Sequence, residues 1–87
     1  MGYLAFCTRE NIVNDFAKKL GKNIKMMRVF KEKSQAELSF DSGLNQSYLS
    51  RVEKGSVNVT VVKLCSIAKA LDCTLIELVP EQNNINP

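Results

Sequence analysis

The chain has 87 residues and a net charge of +3, and its 45% of hydrophobic and 24% of charged residues are typical of one folded globular domain rather than a disordered chain. No apolar run is long enough to span a membrane and the N-terminus lacks the pattern of a secretory signal, so we expect a cytoplasmic protein without a membrane partner. Because histidine is absent and the three cysteines are scattered, the sequence predicts no metal site, no cofactor and no enzyme.

A first helix is predicted from the apolar residues that recur at helical spacing after residue 8. Thr8 is the candidate N-cap, and the helix is predicted to cover residues 9–33, with Gly21 weakening or bending it. Apolar residues at spacings of four and three are predicted to face the core: Phe16, Leu20, Ile24 and Met27.

Met26 and Phe30, four residues apart, form a second apolar pair on a neighbouring face of this helix. Two interpretations of the pair stay open from the sequence. The apolar residues 3–6 could fold back over it, or the pair could belong to a contact between two copies of the chain.

Two short helices joined by a glycine-containing turn are predicted next. The segment SQAE at residues 34–37 has the form of a capping box and predicts a helix that ends near Ser42. Gly43 provides the positive φ that a tight turn needs, and Asn45 is the candidate N-cap of the following helix. That helix is predicted to end at Gly55, so the pair has the outline of a helix-turn-helix.

Two further helices are predicted near the C-terminus. Thr60 is the candidate N-cap of a helix whose apolar face consists of Val61, Leu64, Ile67, Ala68 and Leu71. Cys65 lies within this apolar pattern and is predicted to be a buried free thiol. Thr74 is predicted to cap a last short helix, which Pro80 stops and whose apolar residues are Leu75, Leu78 and Val79.

The segment NQSYLSRVEKG, residues 45–55, separates into two faces when it is placed on a helix at 100° per residue. Leu49 and Val52 point to the core with Glu53 beside them. The outward side carries amide, hydroxyl and basic groups but no acidic group: Gln46, Ser47, Ser50, Arg51 and Lys54. Such groups can hydrogen-bond base edges in the DNA major groove. Any surface helix has a polar outward side, so the pattern alone also fits a solvated surface.

The blocks LGKNIKMMR, SQAELS, GLNQSYLSRVEKG and VKLCSIAKALDCTLIELV, within residues 20–79, resemble the Cro/C1-type or XRE family of helix-turn-helix transcription regulators. The resemblance implies an all-α, five-helix, lambda-repressor-like domain that binds double-stranded DNA as a homodimer. We expect this domain at residues 1–79, including an N-terminal extension at 1–15, followed by a polar C-terminal tail at 80–87.

Within this family the chain is most similar to the controller proteins of restriction–modification systems. The alternative is an antitoxin that binds both a toxin protein and its own promoter. A third interpretation is a protein-interaction module that kept the fold and lost DNA binding. It is disfavoured because the outward side of residues 45–55 has acquired neither acidic nor bulky apolar residues.

The resemblance also implies roles for individual residues. The expected base-reading residues are Gln46, Ser47 and Arg51. Contacts to the DNA backbone are expected from Ser34, Gln35, Asn45, Tyr48, Ser50 and Lys54, with Gln35 also supporting the reading helix. Arg28 and Glu53 are expected to form a partly buried ion pair between the first helix and the reading helix.

Four positions depart from the family pattern. Glu32 and Lys33 stand where many relatives have Gly-Leu, and since glutamate tolerates a left-handed conformation poorly, we expect the turn there to differ. Ser39 and Val59 replace a common alanine and a common proline. None of these changes removes an expected base contact.

Overall fold

The computed structural model describes the backbone of residues 9–80 and the side chains of residues 15–80. This part of the chain forms five helices and no strand: α1 (Arg9–Phe30), α2 (Gln35–Ser42), α3 (Gln46–Lys54), α4 (Val61–Ala70) and α5 (Leu75–Leu78). None of these helices is long and apolar enough to cross a membrane. The prediction of an all-α fold with five helices is confirmed. The expected cap at Thr8 and the fold-back of residues 3–6 lie outside the described residues.

Helix α1 crosses α3 and also contacts α5, while α2 packs against α3 and α4. Buried side chains from all five helices, together with Leu71 directly after α4, form one core: Leu20, Ile24, Leu38, Leu49, Val52, Leu64, Ile67, Ala68, Leu71 and Leu78. A helix as short as α3 is not stable alone. Its packing between α1 and α2 therefore sets its orientation.

Gly21 lies where α1 closely approaches the end of α3. It does not interrupt α1, which runs without a break from Arg9 to Phe30. A Cβ atom at Gly21 would lie 2.2 Å from the carbonyl oxygen of Val52 and 2.7 Å from that of Glu53. The missing side chain therefore lets the end of α3 rest directly on α1.

This close crossing also changes which residues of α1 face the core. Leu20 and Ile24 are buried as predicted and Met27 packs at the edge, but Phe16 is 36% exposed. The small Ala17 takes the inward position instead. The prediction for Phe16 is wrong because the periodic pattern does not reveal how close the neighbouring helix comes.

Two predictions for α4 are also wrong. Val61 is 68% exposed because it lies in the first turn of the helix, before the buried positions begin at Leu64. Cys65 is exposed because it follows Leu64 directly and points about 100° away from that buried side chain. The remaining predicted core residues of the helix, from Leu64 to Leu71, are buried.

The turn between α1 and α2 keeps a left-handed residue although no glycine is present. Glu32 has φ of 58°, so the expectation of a different turn is wrong. The Lys33 N–H donates to the Arg28 carbonyl at 3.0 Å, and the Arg28 guanidinium donates back to the Lys33 carbonyl at 2.8 Å. The Lys33 ammonium donates to the Ala70 carbonyl at 2.6 Å and to Asp41 at 2.8 Å. These contacts offset the ~1–2 kcal/mol cost of the left-handed conformation.

The helix starts follow the predicted caps. Ser34 and Glu37 form the capping box of α2, and Thr60 caps α4. Thr74 and Glu77 form a second capping box at α5, and the Thr74 N–H, donating at 2.8 Å, holds the pKa of the Glu77 carboxyl below its ordinary value. The short helices thus begin where side-chain oxygens accept hydrogen bonds from backbone N–H groups.

Candidate nucleic-acid interface

The turn before α3 has the geometry that the sequence predicted. Gly43 has φ of 74°, and its N–H donates to the carbonyls of Ser39 and Phe40 at the end of α2. A Cβ atom at Gly43 would meet nothing within 4 Å, so the position needs glycine for its backbone angle and not for space. The Ser39 hydroxyl donates to the Leu44 carbonyl and ties the turn to α2. The two helices therefore have a fixed relative orientation.

Helix α3 begins and ends at the predicted residues. The Asn45 side-chain oxygen accepts from the N–H groups of Ser47 at 2.8 Å and Tyr48 at 3.4 Å. Gly55 has φ of 76°, and a Cβ atom there would lie 2.5 Å from the Cα atom of Lys18 on α1. Both ends of α3 are thus fixed by contacts within the chain.

The two sides of α3 differ as predicted. Leu49 and Val52 are buried in the core. The predicted base-reading residues, Gln46, Ser47 and Arg51, are all exposed. Among the predicted backbone contacts, Ser34, Asn45 and Lys54 are exposed, and Gln35, Tyr48 and Ser50 are half-buried.

The predicted ion pair between α1 and α3 is present. The Arg28 Nε donates to Glu53 Oε2 at 2.8 Å and its Nη2 donates to Glu53 Oε1 at 3.2 Å. The side chains are 12% and 4% exposed, respectively. The Gln35 Nε2 also donates to Glu53 Oε1 at 3.1 Å, so the support that Gln35 was expected to give to the reading helix is present as well. Glu53 therefore joins three helices at the inner side of α3.

One basic residue at this surface was not predicted. The Lys63 Nζ lies 4.4 Å from the centroid of the Tyr48 ring, and the Arg51 Cζ lies 6.0 Å from the same centroid. Lys63 belongs to α4, outside the helix-turn-helix, and lies fifteen positions after Tyr48 in the sequence. The fold, in which α4 packs against α2 and α5, brings the two together, so no local sequence signal identifies this contact.

Comparison with known families agrees with this geometry. The family model described as Helix-turn-helix matches residues 24–78, which include the capped α2, the Gly43 turn and all of α3. The chain belongs to the XRE-type helix-turn-helix family. It is therefore a DNA-binding transcriptional regulator, and the predicted family is confirmed.

Individual relatives of this XRE-type regulator cover most of its length. It is 40% identical over 65 residues to the HTH-type transcriptional regulator y4dJ of Sinorhizobium fredii, covering 75% of this chain and 84% of the relative. It is 34% identical over 68 residues to the control protein C.SmaI of Serratia marcescens, covering 78% and 81%, respectively.

The fold of this XRE-type regulator is also found in solved structures. The restriction-modification controller protein C.AhdI from Aeromonas hydrophila is similar with a TM-score of 0.70 and 40% identity. The similarity covers 71% of this chain and 94% of that protein.

Proposed function

We propose that the protein is a homodimeric regulator that binds a two-fold symmetric operator through α3, as the controller of a restriction–modification operon. The observation that carries this proposal is the division of α3 into two sides. Glu53 fixes the inner side through Arg28 and Gln35, while the outer side presents polar groups without an acidic residue in its first turn. A helix held in this way can enter the major groove in one orientation.

The exposed side chains of α3 have the chemistry for reading bases. The Gln46 amide can form two hydrogen bonds with the N6 and N7 atoms of adenine, and the Arg51 guanidinium can form two with the O6 and N7 atoms of guanine. Ser47 can bond either kind of base. Gln46 and Ser47 lie in the first turn of α3, and Arg51 lies one turn further on the same side, so together they would read a few neighbouring base pairs.

Phosphate contacts would orient the domain on the DNA. The N-terminus of α2 presents the positive end of the helix dipole beside Ser34 and Gln35. The proposed contacts on α3 are Asn45, Tyr48, Ser50 and Lys54. Because such contacts release counterions, affinity is expected to fall as salt rises, largely independently of sequence.

A second exposed surface supports the homodimer. Large apolar side chains of α1 and α5 are exposed on the rim of a groove of about 940 Å³: Met26 and Phe30 from α1 and Ile76 from α5. Contiguous apolar side chains at the surface are typical of protein contact sites. A pair of domains joined about a two-fold axis would read half-sites about 34 Å apart, or a multiple of that distance.

The relatives support the controller role. C.AhdI is named a restriction-modification controller and C.SmaI a control protein, and each is at least 34% identical to this chain over most of its length. In this proposal the protein concentration sets the fraction of dimer and hence the occupancy of the operator.

Sedimentation velocity tests the dimer together with DNA binding. At micromolar concentration we expect a dimer, and we expect Phe30→Asp to give monomers that bind the full operator more weakly. Phe40→Asp is the matched control, because Phe40 is 87% exposed on α2 and Phe30 is 78% exposed on α1. A wild-type protein that stays monomeric while binding its operator tightly would contradict the dimer.

Genomic context and co-purification test the antitoxin alternative. In the controller proposal the neighbouring genes encode a methyltransferase and an endonuclease, and neither product co-purifies stoichiometrically with the protein. A stable complex with the product of an adjacent gene would favour the antitoxin.

A further inference from the structure

Lys63 and Arg51 converge on one aromatic ring at the edge of α3. Their charged groups lie 4.4 Å and 6.0 Å from the centroid of the Tyr48 ring. Within residues 15–80, the ion pairs are Asp15–Lys19, Arg28–Glu53 and Lys33–Asp41, so neither of these two cations has an acidic partner. The ring therefore brings together two positive charges without a counter-charge from the described part of the chain.

The position of Lys63 on α4 is electrostatically unfavourable in the free protein. It lies in the first turn of a ten-residue helix, three residues after the Thr60 cap, where the helix dipole favours anions. No acidic residue occupies that turn. The attraction of the ammonium to the Tyr48 ring, about 0.5–1 kcal/mol at an exposed site, offsets part of this cost.

An anion beside Lys63 would relieve the unfavourable electrostatics of this ammonium. It would provide the counter-charge that the Lys63 ammonium lacks, near the positive end of the α4 dipole. The same edge of α3 carries Arg51, which the proposed function assigns to base reading. The anion that accompanies a base pair in reach of Arg51 is the phosphate of the DNA backbone.

We propose that Lys63, although outside the helix-turn-helix, is a DNA phosphate contact and that the Tyr48 ring positions it. This inference rests on the proposed function and adds α4 to the DNA-binding surface. Tyr48 then has a role beyond its own contact with the DNA backbone, since its ring holds the lysine next to α3 before DNA arrives. The contact is independent of sequence, because a phosphate carries no base identity.

The salt dependence of operator binding tests the role of Lys63. For Lys63→Met we expect the slope of log Kobs against log salt concentration to fall in magnitude by about two, as for the loss of one phosphate contact in each subunit of the dimer. Binding to the operator and to operators with one changed base pair should weaken by the same factor. Lys69→Met is the matched control, because Lys69 is also exposed on α4 but lies in its last turn, and it should leave the slope unchanged.

The role of the ring is tested by two Tyr48 variants. Tyr48→Phe keeps the ring and should retain the contribution of Lys63 to the slope, whereas Tyr48→Leu should reduce it. In a double-mutant cycle, Lys63→Met should cost less in the Tyr48→Leu background than in wild type. Chemical denaturation of each variant checks that the fold is retained.

The outcomes separate this inference from the proposed function. An unchanged slope for Lys63→Met, with operator binding by wild type intact, would overturn the phosphate contact and leave the proposed function standing. Strictly additive effects in the cycle would overturn the positioning role of Tyr48. If wild type shows no preference for any DNA sequence, the proposed function and this inference both fail.

Discussion

The inner and outer sides of α3 differ in what their side chains contact. On the inner side, Leu49 and Val52 are buried and Glu53 accepts hydrogen bonds from Arg28 and Gln35. On the outer side, the side chains of the proposed base-reading residues are exposed. Contacts within the chain thus fix the direction of the helix and leave its outer groups available to a partner.

This difference predicts that stability and DNA binding depend on separate residues of the same nine-residue helix. Changes on the inner side should lower the free energy of unfolding, and DNA binding should fall only as a consequence. Changes on the outer side should lower affinity while the free energy of unfolding stays the same. Each of the following variants tests one part of that division.

Glu53→Ala should have the largest effect on stability. It leaves the Arg28 guanidinium, which is 12% exposed, without its carboxylate, and the loss of one partner of a buried pair typically costs ~3–5 kcal/mol. Urea denaturation followed by circular dichroism measures the change. The double variant Arg28→Met with Glu53→Met should recover part of the loss, and a change below about 1 kcal/mol for Glu53→Ala would show that the pair does not hold α3.

Gly21→Ala should destabilise by roughly 1–3 kcal/mol, as overpacked positions do. The new Cβ atom would lie 2.2 Å from the Val52 carbonyl oxygen, so α1 and the end of α3 must move apart. Lys25→Ala is the control on the exposed side of the same helix and should change stability by less than about 0.5 kcal/mol. Equal stabilities for the two variants would mean that α1 and α3 can move apart without lowering the free energy of unfolding.

Arg51→Ala should weaken operator binding by ~1–3 kcal/mol for each half-site, because one bidentate contact with a base is lost there. Its free energy of unfolding should stay within about 0.5 kcal/mol of wild type, since the side chain is exposed. Fluorescence anisotropy with the operator and thermal denaturation measure the two quantities. A loss of stability as large as the loss of affinity would contradict the prediction that the outer side of α3 serves DNA binding and not stability.

Asn45 lies at the boundary between the two sides and should show the smallest effect. Asn45→Ala removes the acceptor for the Ser47 and Tyr48 N–H groups and should lower stability by about 1 kcal/mol. Asn45→Asp keeps that acceptor and adds a negative charge, so stability should be retained while DNA affinity falls. If Asn45→Asp binds the operator as tightly as wild type, this residue lies away from the phosphates.

Much of this fold could be predicted from the sequence because its signals are local. Caps at Ser34, Asn45, Thr60 and Thr74 act within three residues along the chain, and so does the positive φ of Gly43. The division of α3 into two sides follows in the same way from helical periodicity. The ion pair between Arg28 and Glu53 joins distant residues and was expected only from the family resemblance.

The features that the sequence did not predict depend on distances between elements. In the sequence Gly21 resembles a helix breaker. Only the structure shows that the end of α3 lies directly against it. Phe16 and Cys65 match an apolar pattern but lie outside the surfaces that neighbouring helices cover. The contact between Lys63 and the Tyr48 ring likewise depends on how α4 is placed by its packing against α2 and α5.

Selection of bound duplexes from a random pool, with wild type and Arg51→Ala in parallel, tests the central claim most directly. Wild type should recover an inverted repeat whose half-sites are about one helical turn apart, or a multiple of it. Arg51→Ala should recover the same repeat with the preference relaxed at one symmetry-related pair of base pairs. Recovery of identical sequences by both proteins would contradict the assignment of the outer side of α3 to base reading.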